Sequence, residues 1–195
     1  MALETSAPAG AQVRIHGLNH FTLPVRDRYA AARFYTAVFN CELDHESAPD
    51  RVAKGLARSL QVGVSLCPGI ELDLFEQDYG QPTVDQSHPH HAFDVPAEDV
   101  AAWVEQLRYW GVPFVGPMTR AGTQGCEIYF NDLDGNHLEL HCSAYPDALR
   151  QQLPVGPYDK SLTVIQQWPT PERAEEAERQ FQEKLARLRA RRAKL

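Results

Sequence analysis

The stretch HFTLPV at residues 20–25 returns as HHAFDV at residues 90–95, at an offset of 70 residues. The Ala31-Ala32 pair behind the first stretch lies over the Ala101-Ala102 pair behind the second. Each stretch has the alternation of a β-strand and is followed by apolar residues at helical spacing. A fixed internal offset of this kind predicts two copies of one supersecondary unit.

Each copy is predicted to run as a strand, a helix and then three strands. In the first copy, a strand at 14–25 precedes a helix that Asp27 can cap and that ends at Asn40, and strands follow near 42–46, 59–67 and 70–76. In the second copy, a strand at 90–95 precedes a helix that ends at Gly111, and strands follow near 113–117, 126–130 and 137–142. The predicted fold class is α+β, with two paired βαβββ units at about residues 13–77 and 87–143.

The pattern changes after Ser143. Residues 144–170 carry prolines, glycines and little periodicity, whereas the chain from Pro171 onward is rich in Glu, Arg and Ala. An apolar stripe at helical spacing predicts a terminal helix docked on the domain; its members are Ala177, Phe181, Leu185 and Leu188. This interpretation is favoured over a dimerising coiled coil because too few heptads are present. We therefore divide the chain into a domain at 1–143 and a C-terminal arm with a charged helix at 144–195.

The composition is that of an ordinary globular protein, with 43% hydrophobic and 23% charged residues among 195. A net charge of -7 argues against a general nucleic-acid binder. There is no apolar run long enough to cross a bilayer and no secretory leader, so we expect a cytoplasmic protein without a membrane partner. Four scattered cysteines without Cys-x-x-Cys spacing favour free buried thiols.

The repeat places two histidines and one acid where a metal could bind. His20 and His90 hold equivalent places in the two first strands, and Glu139 lies in the middle of the last strand. Two imidazoles and one carboxylate on rigid elements form a common metal-ligand set that leaves positions open for a substrate. The sequence therefore predicts a divalent-metal site in a cleft shared by the two units.

Three stretches resemble the vicinal oxygen chelate superfamily: GLNHFTL at 17–23, HHAFDV at 90–95 and YFNDLDGNHLEL at 129–140. That superfamily includes glyoxalases, extradiol dioxygenases, fosfomycin-resistance enzymes, epimerases and metal-free bleomycin-binding proteins. The resemblance covers roughly residues 13–143 and implies His20, His90 and Glu139 as the metal ligands. Strand alternation turns His91 to the opposite face from His90.

The reaction that the resemblance favours at this point is ring cleavage of a small aromatic diol by an Fe(II) dioxygenase of the extradiol type. The implied catalytic residues are Tyr129, as a hydrogen-bond donor to the substrate oxygen, and His141, as the acid or base. Arg120 could pair with an anionic group of the substrate. The strand at 70–76 lacks the acid–base histidine that extradiol enzymes carry, which counts against this interpretation.

Three alternatives stay open. A glyoxalase-type isomerase or epimerase, with Mn, Ni, Zn or Co as the metal, needs a fourth acidic ligand. Glu71 is the counterpart of Glu139 by local similarity, but Asp73 faces the same way. A fosfomycin-resistance enzyme ranks third. An anionic phosphonate needs several cationic donors, and Arg120 is the one cationic residue near the loop 118–125. A metal-free binding protein is the non-enzymatic alternative. Family members often dimerise, so we expect a homodimer.

Overall fold

The computed structural model describes residues 17–55, 59–77, 90–156, 165 and 167–194. Within that part, unit one consists of four strands and two helices: β1 (His20–Val25), α1 (Arg28–Val38), β2 (Glu42–Glu46), α2 (Pro49–Ala53), β3 (Gln61–Cys67) and β4 (Ile70–Glu76). The sheet order is β1-β4-β3-β2, with β1 parallel to β4. Asp27 caps α1 by accepting hydrogen bonds from the backbone N–H groups of Tyr29 and Ala30. Residues 14–16 of the predicted first strand lie outside the described residues.

Unit two repeats this topology. Its elements are β5 (His91–Asp94), α3 (Val100–Tyr109), β6 (Phe114–Met118), β7 (Cys126–Asn131) and β8 (His137–Cys142). The sheet order is β5-β8-β7-β6, with β5 parallel to β8. The two identical strand orders confirm the predicted α+β fold of paired βαβββ units. Beyond unit two lie α4 (Asp147–Arg150) and α5 (Ala174–Arg192), and the division into 1–143 and 144–195 stays a prediction.

The strand register settles which acid of β4 corresponds to Glu139. Thr22 of β1 pairs with Asp73, and Ala92 of β5 pairs with Glu139. The 70-residue offset carries Thr22 onto Ala92, so Asp73 is the structural counterpart of Glu139. The counterpart suggested by local similarity, Glu71, pairs instead with His20. Both acids face the same side of β4, so alternation does not separate them. Similarity of the flanking residues therefore pointed to Glu71, two residues before the counterpart that strand pairing shows.

The two units share one core. Phe39, which follows α1, packs its ring 5.3 to 5.9 Å from the rings of Phe93, Trp103 and Phe130 of unit two. The side-chain amide of Gln106 donates to the backbone carbonyls of Ala37 and Val38 across the same boundary. The inward residues of the strands alternate with polar residues that face the other side of each sheet. This alternation leaves one polar sheet face per unit.

Helix α5 packs on the outside of unit one, against α1 and β2. Ala177, Phe181, Leu185 and Leu188 are all buried. The Nζ of Lys184, also buried, donates to the carbonyl oxygens of Thr36 (2.9 Å) and Cys41 (2.7 Å). Thr36 lies in the last turn of α1, where a helix leaves its last acceptors without internal partners, and Cys41 follows the helix just before β2.

All four cysteines are free thiols, as predicted, but Cys67 is exposed rather than buried. In the described ranges, no helix has the length and apolarity needed to span a bilayer.

Candidate metal centre

Glu139 lies at the centre of the candidate site. It occupies the middle of β8 and is 5% exposed. Its Oε2 lies 2.7 Å from Nε2 of His90, and its Oε1 lies 3.2 Å from Nδ1 of His141. A buried carboxylate between two imidazoles has the donor atoms that bind divalent transition-metal ions in proteins. The structure therefore brings together three of the residues singled out from the sequence.

Glu127 adds a second buried carboxylate that the sequence analysis missed. It is 4% exposed, lies on β7 and pairs with His141 of β8. Glu127, Glu139 and His141 each offer a ligand atom within 4.8 Å of the others. The sequence contained one signal for Glu127, because a residue two positions before Tyr129 on a strand faces the same side.

The Tyr129 hydroxyl is held by two neighbours on the same sheet face. It donates to Oε2 of Glu127 at 3.0 Å and accepts a hydrogen bond from Nη2 of Arg120. Burial, followed by the nearby Glu139 carboxylate, raises the pKa of Tyr129 well above its usual value, so the phenol keeps its proton at neutral pH. That proton is directed at Glu127, so donation to a substrate oxygen, the role implied by the family resemblance, would require the hydroxyl to turn.

Arg120 stands at the edge of this group. Its Nε donates to Oε2 of Glu127 at 2.7 Å, and its side chain remains 46% exposed. In the part of the chain that the structure describes, Nη1 of Arg120 makes no hydrogen bond. A guanidinium with a free donor beside a metal-type ligand set is suited to bind a phosphate-like or carboxylate group.

His20 is not part of this cluster within a single chain. It is exposed, and its Nδ1 lies 2.8 Å from Oδ1 of Asn19. Among the described residues, ligand groups form around Glu139 and, separately, around His45 in unit one, and neither group includes His20. His91 faces away from Glu139, as strand alternation predicts, and its ring stacks 4.9 Å from that of Phe21.

The donor set fits a divalent metal. Glu127 of β7 lies at short range from Glu139 and His141 of β8, and His90, just before β5, contacts the other oxygen of Glu139. A buried carboxylate of this kind is stabilised by a positively charged partner. Such a metal and the Arg120 guanidinium would together attract a small anion that also carries a metal-binding oxygen. The site is therefore suited to polarise an oxygen of an anionic substrate.

Comparison with known proteins identifies the family. The model of the Glyoxalase/Bleomycin resistance protein/Dioxygenase superfamily matches residues 17–140, which span both units. The chain belongs to this superfamily. Within the superfamily, the chain is 28% identical over 137 residues to the fosfomycin resistance protein FosX of Listeria monocytogenes, covering 70% of this chain and 97% of that protein. It is 29% identical over 138 residues to the metallothiol transferase FosB of Bacillus licheniformis, covering 70% of this chain and 82% of FosB.

A solved structure of a FosX variant from Listeria monocytogenes is similar to this chain. The TM-score is 0.54 at 27% identity, covering 71% of this chain and 99% of that one. That structure is a complex with Mn(II) and 1S,2S-dihydroxypropylphosphonic acid. The family match confirms the vicinal oxygen chelate resemblance, and these two relatives are a fosfomycin resistance protein and a metallothiol transferase rather than ring-cleaving dioxygenases.

Proposed function

We propose that this chain is a divalent-metal-dependent enzyme that opens the oxirane ring of a small phosphonate of the fosfomycin type. The observation that carries the proposal is the placement of Arg120 and Tyr129 on the same sheet face as the His90–Glu139 pair. Tyr129 hydrogen-bonds to the guanidinium of Arg120, which can bind an anion, and its ring lies 6.0 Å from that of His90, one of the two candidate metal ligands. The similarity to FosX and FosB supports this substrate class.

The reaction would be an addition across one C–O bond of the oxirane. Water or a thiol forms the new C–O or C–S bond, the ring C–O bond breaks, and the proton of the nucleophile ends on the ring oxygen as a hydroxyl. With water as the nucleophile, fosfomycin would give a dihydroxypropylphosphonate. The metal, when bound, supplies positive charge that polarises the substrate oxygen.

The side chains of this chain divide the remaining work. His90 and Glu139 hold the metal, and His141 is placed either to join them or to move a proton, because it contacts the other oxygen of Glu139. Arg120 binds the phosphonate through charge-assisted hydrogen bonds. Tyr129 and Glu127 position Arg120, since both hydrogen-bond to its guanidinium.

We propose that His20 of the partner subunit completes the metal centre in a homodimer. His20 and Thr22 on β1, His90 just before β5 and Ala92 within β5 are all exposed. A two-fold symmetric dimer would bring unit one of each copy against unit two of the other, so that two identical centres form. This arrangement reconciles the implied three-ligand set with the separation of His20 from Glu139 within one chain.

Mn(II) is the metal to test first, because the related FosX structure contains it. The donor set also accommodates Ni, Zn or Co. Fe(II), oxidation of a catechol and an aromatic substrate, which the sequence analysis ranked first, receive no support from the relatives. They are therefore placed behind the phosphonate proposal.

A glyoxalase-type isomerase is the second candidate, and one observation favours it. That chemistry needs a further acidic ligand, and Glu127 supplies a buried carboxylate within 4.8 Å of the ligand atoms of Glu139 and His141. The two candidates differ in their substrates, so turnover assays separate them.

The test is product analysis by ³¹P NMR. Metal-stripped protein is reloaded with Mn²⁺ and incubated with fosfomycin in water alone, with L-cysteine or with glutathione. We expect a new phosphonate resonance in one of these conditions, and in Glu139→Gln we expect the loss of this resonance together with the metal ion bound at Glu139. Glu105→Gln, a change at an exposed acid of α3, is the matched control and should retain turnover. An unchanged fosfomycin resonance with metal-loaded protein in all three conditions would overturn the proposal, and turnover of a hemithioacetal would then favour the isomerase.

A further inference from the structure

Unit one carries its own cluster of metal-type ligands. Asp44, His45 and Glu71 each offer a ligand atom within 4.8 Å of the others, and Asp73 lies beside them. We propose that these residues form a second divalent-cation site, separate from the centre at Glu139. The inference rests on the geometry of unit one and does not depend on the proposed reaction.

A β-bulge aims His45 at this site. The register of β2 against β3 shifts between Leu43 and His45, so that His45 pairs with Gly63. Gly63 in turn pairs with Asp73 on β4. Bulges are frequent next to functional sites because they redirect a side chain that regular alternation would send to the other face. Here the bulge places His45 in one cross-strand row with Asp73.

Gly63 makes room for the imidazole in that row. A Cβ at Gly63 would overlap Cε1 and Nδ1 of the His45 ring and would lie 3.1 Å from Oδ1 of Asp73. In unit two, the residue that pairs with the equivalent acid Glu139 is Tyr129. Unit one therefore replaces a tyrosine by a glycine, and a histidine from the next strand fills the space above it.

Asp73 supplies the independent indication of a ligand. It is 8% exposed, and its Oδ1 accepts no hydrogen bond from any described residue. That oxygen lies 3.3 Å from Nε2 of His45. A buried carboxylate oxygen without a hydrogen-bond donor is costly, and such atoms often mark the place of an ion.

The contacts of the imidazole show why a cation fits there. Nε2 of His45 lies 2.9 Å from the side-chain nitrogen of Gln61, and Nδ1 lies 3.2 Å from Oδ2 of Asp44. When Gln61 donates to Nε2, the ring proton sits on Nδ1 and points to Asp44. Oδ1 of Asp73 then lies 3.3 Å from a nitrogen that has no proton to donate to it. A divalent cation that displaces the Gln61 amide from Nε2 would be coordinated by both atoms.

The donor chemistry indicates the class of ion. One imidazole with carboxylates on three sides suits Mn²⁺, Co²⁺ or Zn²⁺, whereas Ca²⁺ and Mg²⁺ prefer oxygen ligands throughout. Asp44, Glu71 and Asp73 place three negative charges around the ring, so a doubly charged ion is favoured electrostatically. Mn²⁺ is the practical probe, because its EPR signal reports free and bound ion directly.

The experiment counts Mn²⁺ ions per chain by isothermal titration calorimetry and EPR on the full-length protein. We expect two ions per chain in the wild type and one in Asp73→Asn or His45→Gln. Gly63→Ala should also leave one ion, although it removes no ligand, because it displaces the His45 ring. Gly17→Ala is its matched control, since a Cβ there meets no atom of the described residues within 4 Å, and it should keep two. Far-UV circular dichroism establishes that each variant is folded.

The Glu139→Gln variant distinguishes this inference from the proposed function. One ion per chain that disappears in Glu139→Gln but persists in Asp73→Asn and His45→Gln would overturn the second site and leave the metal centre of unit two intact. One ion that disappears in Asp73→Asn but persists in Glu139→Gln would support the site in unit one and contradict the centre at Glu139.

Discussion

The hydroxyl of Tyr35 in α1 donates a 3.0 Å hydrogen bond to Oδ2 of Asp132, which lies between β7 and β8. Both side chains are almost completely buried, at 0% and 1% exposure. Nearby, Arg26 of unit one donates through Nε to Oδ1 of Asp134 at 2.8 Å. The two units are therefore joined by a buried polar contact as well as by their aromatic core.

Asp132 should make stability depend on pH. Burial raises the pKa of Asp132 from 3.8 to about 6, so the folded protein holds this proton more tightly than the unfolded chain does. The free energy of unfolding should therefore fall as pH rises from about 4 to about 6, by up to about 3 kcal/mol from this residue. Urea denaturation between pH 4 and pH 7.5 measures this dependence.

Asp132→Asn should remove that component of the pH dependence, whatever its effect on absolute stability. Asp147→Asn, a change at an exposed acid, is the control and should keep the wild-type slope. If the slope is the same in wild type and Asp132→Asn, Asp132 does not titrate in this range.

Arg120→Met should weaken substrate binding more than metal binding. The substitution removes a charge-assisted hydrogen-bond donor, which corresponds to roughly a 10- to 100-fold rise in KM for a phosphonate. Mn²⁺ content should remain unchanged, because Arg120 is a donor and not a ligand. Steady-state kinetics and metal analysis together test this expectation. Arg108→Met, at an exposed arginine of α3, should change neither quantity, and an unchanged KM in Arg120→Met would remove Arg120 from the site.

Mixing two inactive variants should restore activity if the metal centre is shared between subunits. His20→Ala and Glu139→Ala each remove one ligand from every centre of their own homodimer. A mixed dimer contains one centre with neither substitution, so an equal mixture that exchanges subunits should regain about a quarter of the wild-type activity. Turnover measured before and after subunit exchange gives the answer. An inactive mixture in which mixed dimers are detected by mass spectrometry would contradict the shared centre.

Lys184→Met should destabilise the fold without affecting metal binding. The ammonium group is buried and donates to the carbonyl oxygens of Thr36, in the last turn of α1, and of Cys41, just before β2, and the substitution removes this donor. Leaving such groups unpaired costs about 1 to 3 kcal/mol. Thermal unfolding should show a lower Tm than in the wild type. Arg179→Met, which removes an exposed ion pair on the same helix, should shift the Tm much less.

The repeat made the fold predictable, but three features of the sites lay beyond it. Glu71 and Asp73 are two positions apart on one strand, so only the pairing with β1 shows that Asp73 corresponds to Glu139. His45 reaches its place through a bulge, and a bulge leaves no regular pattern in a sequence. In the proposed dimer, the approach of His20 to a metal centre depends on how the two copies associate, which residue order does not specify.

More residues of the candidate centre in unit two could be predicted from the sequence alone. His90, Glu139 and His141 were found because a repeat offset and strand alternation determine where such side chains lie. The phosphonate reaction ranked third in the sequence analysis because Arg120 was weighed as one isolated cation. In the structure, Tyr129 and Glu127 hold its guanidinium beside the candidate metal ligands, and this cooperation of three side chains depends on strand pairing.

The docking of α5 on unit one has a consequence for biosynthesis. Lys184, which satisfies the carbonyls of Thr36 and Cys41, is separated from them by more than a hundred residues of chain. Unit one emerges from the ribosome before unit two, yet its outer helix keeps an unsatisfied acceptor and an uncovered apolar surface until α5 has been made. Unit one is thus synthesised before unit two but completed after it.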